Sequence, residues 1–419
     1  MQKRRGLLQN TIWLYAVTGV KLVAPLVILP YLTRVLSIGA YGTVSYVKAY
    51  CTYVQLLIDF GFLLSATRQI VMARDDMRRI GSIAGDTIVE KGLLSALAFI
   101  GTAVACVFVP LLRENPLFTF LYFLSCVMTI GILDFLYRGI EQMQYVAIPF
   151  LATKVLSVSL TFVLVHGDND LLLIPILEIL GNGLAAIISM SFLRHLNIRI
   201  DFTGFNRWLS NLADSFVYFL SNFATTFLGA LTTLVAGCIL SSEDVAIWSV
   251  CMMILSAAKA MYSPISNSLY PRMLQTRDIN LVNKICLVLS VVLFLGCAVI
   301  LFLGEPIVTI FAGAKYKESA DVLKWLIPSF VFSFYSMMYG WPVLGAIGKR
   351  DETTFTTIVA ALLQVVLFGI LIATGSFTLV SLSICCGFSE GVLLLLRIIA
   401  VIKNREAFRR PLKKGQAKS

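Results

Sequence analysis

The chain has 419 residues, of which 58% are hydrophobic and only 14% are charged. A soluble domain usually has about 25% charged residues, so this composition excludes a soluble protein and predicts a polytopic membrane protein. The net charge of +11 does not indicate nucleic acid as a partner, because the basic residues lie in short loops and near the carboxyl end, where membrane topology requires them.

Twelve apolar segments follow one another along the chain, each long enough to cross a bilayer as a helix. The sequence therefore predicts an all-α protein of twelve transmembrane helices. The segments begin near Ile12, Tyr41, Ser82, Pro116, Val146, Leu171, Leu212, Val245, Lys284, Asp321, Thr353 and Thr378.

The loop charges predict the orientation of these helices. With the amino terminus in the cytoplasm, the inside loops collect most of the arginines and lysines, such as Arg78, Arg79 and Lys349. Acidic residues such as Asp168 and Glu243 fall in the outside loops. Because cytoplasmic loops are enriched in Lys and Arg, both termini are expected in the cytoplasm, with a basic tail at 403–418.

A shift of 204 residues lays the second half of the chain over the first, for example Ser45 over Ser249. Six spans per half give a parallel repeat about an axis along the membrane normal. We therefore expect two pseudo-symmetric six-helix lobes, 1–204 with helices 1–6 and 205–419 with helices 7–12, around a central cleft. The alternative is that membrane helices share small polar residues simply for packing.

A polar stripe runs along the second predicted helix, with spacings of three and four residues that place it on one face. It is roughly 20 Å long, at 1.5 Å per residue. A lysine that faces lipid at this depth costs free energy, so the stripe is predicted to line a polar cavity. The stripe consists of Ser45, Lys48, Thr52, Gln55 and Asp59, and its predicted counterparts in helices 7 and 8 include Asn222, Thr225, Ser256 and Lys259.

Cations at membrane depth are candidates for binding an anion. Lys21 lies midway along the first helix, before Pro25, and Lys48 lies in the second. Together with Lys259 and Arg34 they are predicted to form a cationic cleft that attracts phosphate. The alternative is that these side chains form ion pairs inside the helix bundle.

Three acids are candidates for coupling transport to an ion. Asp59 shares the stripe with Lys48, and it is either a proton or cation site or the partner of Arg68 or Arg138. Glu178 and Glu390 are predicted to be lone acids deep in helices 6 and 12, where an unpaired carboxylate can carry a proton.

Three runs near the amino end resemble the opening of bacterial O-antigen and polysaccharide flippases, in the multidrug/oligosaccharidyl-lipid/polysaccharide exporter superfamily. The runs are NTIWLY at 10–15, PLVILPYLTRVL at 25–36 and DFGFLLSATRQI at 59–70. The resemblance implies two six-helix lobes, alternating access, a cationic cavity and a bacterial inner-membrane location. It also implies undecaprenyl-pyrophosphate-linked oligosaccharide as the substrate, and Lys21, Lys48 and Arg34 fit the cationic role by position.

The sequence contains neither a Walker loop nor a zinc-binding spacing, so we expect a transporter without a cofactor, driven by an ion or substrate gradient. Membrane lipids and other polysaccharide assembly proteins are expected partners. One alternative is a drug or metabolite antiporter, for which an acidic cleft is expected. A membrane polysaccharide polymerase is disfavoured because the outside loops are short. A scaffold in an export complex would not require charged stripes.

Overall fold

The computed structural model describes residues 2–73 and 76–408. Within helices it leaves out the side chains at 2–8, 11, 221, 224–230, 263, 264, 267, 271 and 350. The predicted basic tail beyond 408 and Arg74 in the second inside loop therefore lie outside the described residues, as does the side chain of Thr225.

The described part of the chain is helical and contains no β-strand. Short 3₁₀ or π turns link several of its sixteen α-helices. The helices are α1 Gln2–Val35, α2 Ile38–Asp59, α3 Phe62–Met72, α4 Met77–Phe108, α5 Pro110–Glu114, α6 Pro116–Met128, α7 Asp134–Gly139, α8 Gln144–Leu164, α9 Leu173–His195, α10 Phe205–Ile239, α11 Ser242–Thr276, α12 Ile279–Ala312, α13 Ser319–Trp325, α14 Ile327–Tyr339, α15 Arg350–Ala373 and α16 Leu379–Lys403.

Eleven spans among the described residues are long and apolar enough to cross a membrane. They confirm the all-α polytopic class. The seventh predicted span is the one that is missing from this count. The 35-residue α10 occupies its place, and the side chains at 221 and 224–230 within it lie outside the described ones.

The α2–α3 and α6–α7 spans are broken helices rather than continuous ones. The α2–α3 span turns at Phe60 and Gly61, which have φ values of 38° and 78°, and glycine adopts this left-handed region without a steric cost. The α6–α7 span is interrupted by a 3₁₀ turn at Thr129–Gly131. Such breaks inside a membrane are tolerated where the freed backbone lines a cavity or is buried in protein.

The chain divides into two compact units, Met1–Ala246 and Ile247–Ser419, called here the first and second units. In the first unit, α10 packs against α2 and α3. The core near α3 and α7 is built from buried side chains such as Phe62, Phe135 and Tyr137. In the second unit, α14 and α16 pack together, and a π turn at Gly340–Leu344 follows α14.

Two buried acids fix the connector between α9 and α10, and the first turns of α10, to α4. Asp86 accepts hydrogen bonds from Thr203 N at 2.9 Å, Thr203 Oγ1 at 2.7 Å and Trp208 Nε1 at 2.8 Å. Glu90 accepts one from Asn211 Nδ2 at 2.8 Å. Because both carboxylates are only 1% exposed, these donors are needed to compensate for their lost hydration.

Candidate functional site

The first unit encloses a cavity of about 500 Å³, called here the first-unit cavity. It is lined by side chains from α1, α2, α3, α4, α7, α8, α9 and α10. Its charged lining residues are Lys21, Asp59, Lys91, Asp134, Arg138, Lys154 and Glu178, and its polar ones include Thr52, Gln55, Thr129, Asn182 and Asn222.

Asp59 lies in the wall of this cavity and is paired with a lysine. Lys91 Nζ on α4 is 2.7 Å from Asp59 Oδ1. Gln55 Nε2 donates to Asp59 Oδ2 at 2.9 Å and to Thr129 Oγ1 at 3.0 Å. The prediction that Asp59 pairs with Arg68 or Arg138 is wrong, because the turn of α4 that faces the end of α2 carries Lys91. The pair leaves no net charge at this point of the wall.

Glu178 is not a lone acid. Lys154 Nζ on α8 donates to both of its carboxylate oxygens, at 2.9 and 3.2 Å. The two side chains are 28% and 21% exposed, which places the pair at the cavity surface and not in the core. The prediction of an unpaired acid was wrong because it considered Glu178 without Lys154 on the neighbouring helix.

Two further cations of the first-unit cavity are not neutralised in this way. Lys21 Nζ lies 5.3 Å from the centre of the Phe150 ring, and Arg138 Nε is buried without a hydrogen-bond partner. Among the described residues, neither forms an ion pair within 4 Å. With the two lysine–carboxylate pairs balanced, Lys21 and Arg138 face Asp134 alone, so the lining carries a net charge of +1.

Part of the predicted stripe lies elsewhere. Lys48 is half-buried with its ammonium 6.0 Å from the centre of the Tyr122 ring, and neither it nor Ser45 lines the cavity. Arg34 is exposed in the last turn of α1, and its Nη1 donates to the Pro30 carbonyl at 2.6 Å. The cavity therefore brings Lys21 together with the carboxyl-terminal half of the stripe, Thr52, Gln55 and Asp59.

The second unit has its own cavity, of about 730 Å³, called here the second-unit cavity. Lys259 Nζ on α11 is 3.3 Å from Glu390 Oε1 on α16, and Ser336 Oγ donates to Glu390 Oε2 at 3.4 Å. Glu390 is therefore not a lone acid either. Ser256 does not line this cavity.

Arg397 is a functional candidate that the sequence reading missed. It is 8% exposed and lines the second-unit cavity. Its guanidinium donates to the Ser336 carbonyl and, at 3.1 Å, to Thr357 Oγ1. Like Lys154, it interrupts an apolar run, and that signal predicts a functional or paired group at membrane depth.

Comparison with known proteins gives the family. A family model described as polysaccharide biosynthesis protein matches residues 7–277, which is more than half of the chain. A protein of Escherichia coli (strain K12), described as a candidate O-antigen transporter, is 25% identical over 372 residues, covering 86% of this chain and 89% of that one. A protein of Shigella dysenteriae with the same description is 26% identical over 345 residues, covering 80% and 86%.

Solved structures share the fold at low identity. An inward-facing multidrug resistance MATE family transporter of the MOP superfamily is 14% identical, with a TM-score of 0.61 and 96% of each chain covered. The lipid II flippase MurJ in its inward closed conformation is 13% identical, with a TM-score of 0.61, and the match covers 95% of this chain and 89% of that one. These structures show a fold like that of MATE transporters and MurJ. The match over 7–277 identifies the chain as a member of the polysaccharide biosynthesis protein family.

Proposed function

We propose that this protein is a flippase that carries undecaprenyl-pyrophosphate-linked oligosaccharide across the bacterial inner membrane by alternating access. Its family concerns polysaccharide biosynthesis, and its relatives in Escherichia coli and Shigella dysenteriae are described as candidate O-antigen transporters. A transporter rather than an enzyme is the activity these descriptions support.

The observation that carries the proposal is the net positive first-unit cavity. A pyrophosphate is a dense anion, and a cation in a partly dehydrated cavity attracts it more strongly than a cation in water. Lys21 and Arg138 are available for this role because no carboxylate pairs with them among the described residues. Arg138 offers a planar fork for phosphate oxygens, whereas Lys21 offers a compact charge.

The other predicted cations take subsidiary roles in the proposal. Lys48 adds positive potential close to the cavity, and Arg34 does so at the end of α1. Lys259 lies in the second-unit cavity. Thr52, Gln55 and Asn222 supply hydrogen bonds to the headgroup from the wall of the first-unit cavity.

In this proposal the lysine–carboxylate pairs couple transport to an ion gradient. Protonation of Asp59, Glu178 or Glu390 neutralises the acid and releases its lysine, which changes the net charge that the substrate meets. A membrane potential provides about 2.3 kcal/mol per charge per 100 mV, so one or two coupled cations are enough to bias a transport cycle. We place both termini in the cytoplasm and expect contacts with other polysaccharide assembly proteins.

A second candidate function is drug or metabolite antiport, because multidrug transporters of the MATE family share the fold. A cavity for cationic drugs requires a surplus of carboxylates. The first-unit cavity has four cationic and three acidic lining residues, so its charge favours an anionic substrate.

The test is a depletion strain that makes its surface polysaccharide by the lipid-linked route. Loss of the flippase leaves complete lipid-linked repeat units on the cytoplasmic leaflet, where an external glycosidase cannot reach them. Restoring the wild-type chain returns the units to the outer leaflet. Single repeat units accumulating on the outer surface after depletion would contradict the proposal and indicate a polymerase.

A further inference from the structure

The second-unit cavity has a different chemical character from the first. Aromatic and apolar side chains form much of its wall: Tyr262, Tyr270, Met337, Trp341, Pro342 and Leu393. Trp341 is 52% exposed although it is large and apolar. Its exposure beside polar groups is typical of a surface that meets an amphipathic ligand.

The charged lining residues of this cavity are Lys259, Arg397 and Glu390, a net charge of +1, and the Lys259–Glu390 pair supplies both a donor and an acceptor. Lys259 and Glu390 are partners at 3.3 Å, and both keep about a quarter to a third of their side chains exposed, at 32% and 26%. The Ser266 side chain also lines the wall. A paired ammonium and carboxylate offer hydrogen bonds of both kinds without a strong demand for a charged ligand, which suits hydroxyl groups.

A helix break presents Trp341 to the cavity. The α14 helix ends at Tyr339, and Trp341 is the second residue of the π turn Gly340–Leu344. Arg397 donates to the Ser336 carbonyl near that break. A Cβ on Gly340 would lie 2.8 Å from Arg397 Nη1, so the guanidinium packs directly against the turn. Arg397 therefore supports the turn that carries Trp341.

We infer that the second-unit cavity is a saccharide-binding site, in which Trp341 stacks on the C–H face of a sugar ring and the Lys259–Glu390 pair hydrogen-bonds its hydroxyl groups. The site's volume of about 730 Å³ lies within the usual range for small-molecule pockets, about 300–1,000 Å³. The inference rests on the proposed function only for the source of the sugar.

The test measures binding of free sugars, which requires no transport. The purified protein in nanodiscs is mixed with methyl glycosides of glucose, galactose, rhamnose and N-acetylglucosamine, and saturation-transfer NMR reports which ones bind. At least one is expected to bind. Trp341→Ala should weaken that binding about tenfold, as expected when a stacked aromatic face is lost.

Two variants serve as controls. Trp325 ends α13, is 50% exposed and does not line the second-unit cavity, so Trp325→Ala should bind as the wild type does. Trp341→Phe should keep most of the binding because it retains a ring. If Trp341→Ala fails to assemble, Trp341→Leu, which keeps apolar bulk without the aromatic face, should show the same loss.

The outcomes separate this inference from the proposed function. Binding lost in Trp341→Ala but kept in Lys21→Gln supports a saccharide site in the second unit, whether or not the protein flips lipid-linked sugar. The inference would be overturned if none of the glycosides binds, or if binding is unchanged in Trp341→Ala. The depletion experiment tests the proposed flippase function independently of either result.

Discussion

Breaking the Lys154–Glu178 pair should destabilise the protein, and removing both charges together should largely restore it. The lysine contacts both carboxylate oxygens, at 2.9 and 3.2 Å, so either single change leaves an opposite charge at membrane depth. The variants that test this are Lys154→Met, Glu178→Gln and the double variant that carries both changes.

The magnitude follows from the exposure of the pair. Breaking a fully buried pair costs about 3–5 kcal/mol, whereas an exposed pair contributes about 0.2–1 kcal/mol. At 28% and 21% exposure, each single variant should lose about 1–3 kcal/mol. The double variant should lie within about 1 kcal/mol of the wild type, since no unpaired charge remains.

The assay is reversible unfolding of the purified protein in mixed micelles, with increasing fractions of a denaturing detergent. Lys324 provides the control, because it pairs with Asp321 at 2.8 Å on a surface where the side chains are 42% and 77% exposed. Lys324→Met should lower the free energy of unfolding by less than about 1 kcal/mol. Single variants as stable as the wild type, or a double variant no better than the singles, would refute the reasoning.

Three further predictions concern packing and topology. Gly85→Ala should impair folding because its Cβ would lie 2.1 Å from the Asp201 carbonyl oxygen. Gly92→Ala on the same helix is the control, because its Cβ would meet nothing within 4 Å, and this variant should accumulate normally. Equal membrane levels of the two variants would contradict this prediction. Arg397→Gln should lower the free energy of unfolding by about 2–4 kcal/mol in the same assay. Arg397→Lys should also be destabilised, because lysine lacks the planar fork that reaches two acceptors. A lysine variant as stable as the wild type would contradict this prediction. Alkaline phosphatase fused at 168 should be active, and the same enzyme fused after 403 inactive, if both termini are cytoplasmic; activity at 403 would reverse the orientation.

The sequence predicted the membrane class because apolar runs of helical length carry that information locally. It also predicted that the second helix presents polar groups to a cavity, and Thr52, Gln55 and Asp59 line one. The prediction also put Ser45 and Lys48 in that lining, and neither of them lines the cavity. Lys48 lies against Tyr122, and contact with a helix about 70 residues away is set by tertiary packing.

Ion-pair partners were the least predictable part of the candidate site. Lys259 and Glu390 are separated by 131 residues, and Asp59 and Lys91 by 32. Periodicity gives the face of a helix on which a charge lies, but not which neighbouring helix meets that face. Lys154 and Arg397 could have been found from sequence by asking which charges interrupt apolar runs, whereas their contacts required the fold.

Helix breaks were only partly predictable. Pro and Gly residues favour kinks in membrane helices, but the turn at Phe60 and the π turn at Gly340–Leu344 depend on what packs beside them. Arg397 and the Ser336 carbonyl illustrate the reason. The group that satisfies the freed backbone lies 61 residues away in the chain.

The central claim is that Lys21 helps the first-unit cavity to hold a pyrophosphate. Its most direct test is headgroup flipping in proteoliposomes that contain lipid-linked repeat units, measured by their accessibility to an external glycosidase. Lys21→Arg should preserve flipping, Lys324→Gln should not change it, and Lys21→Gln should slow it roughly tenfold to a hundredfold, the loss expected for a charged hydrogen bond. Wild-type flipping by Lys21→Gln would contradict the account.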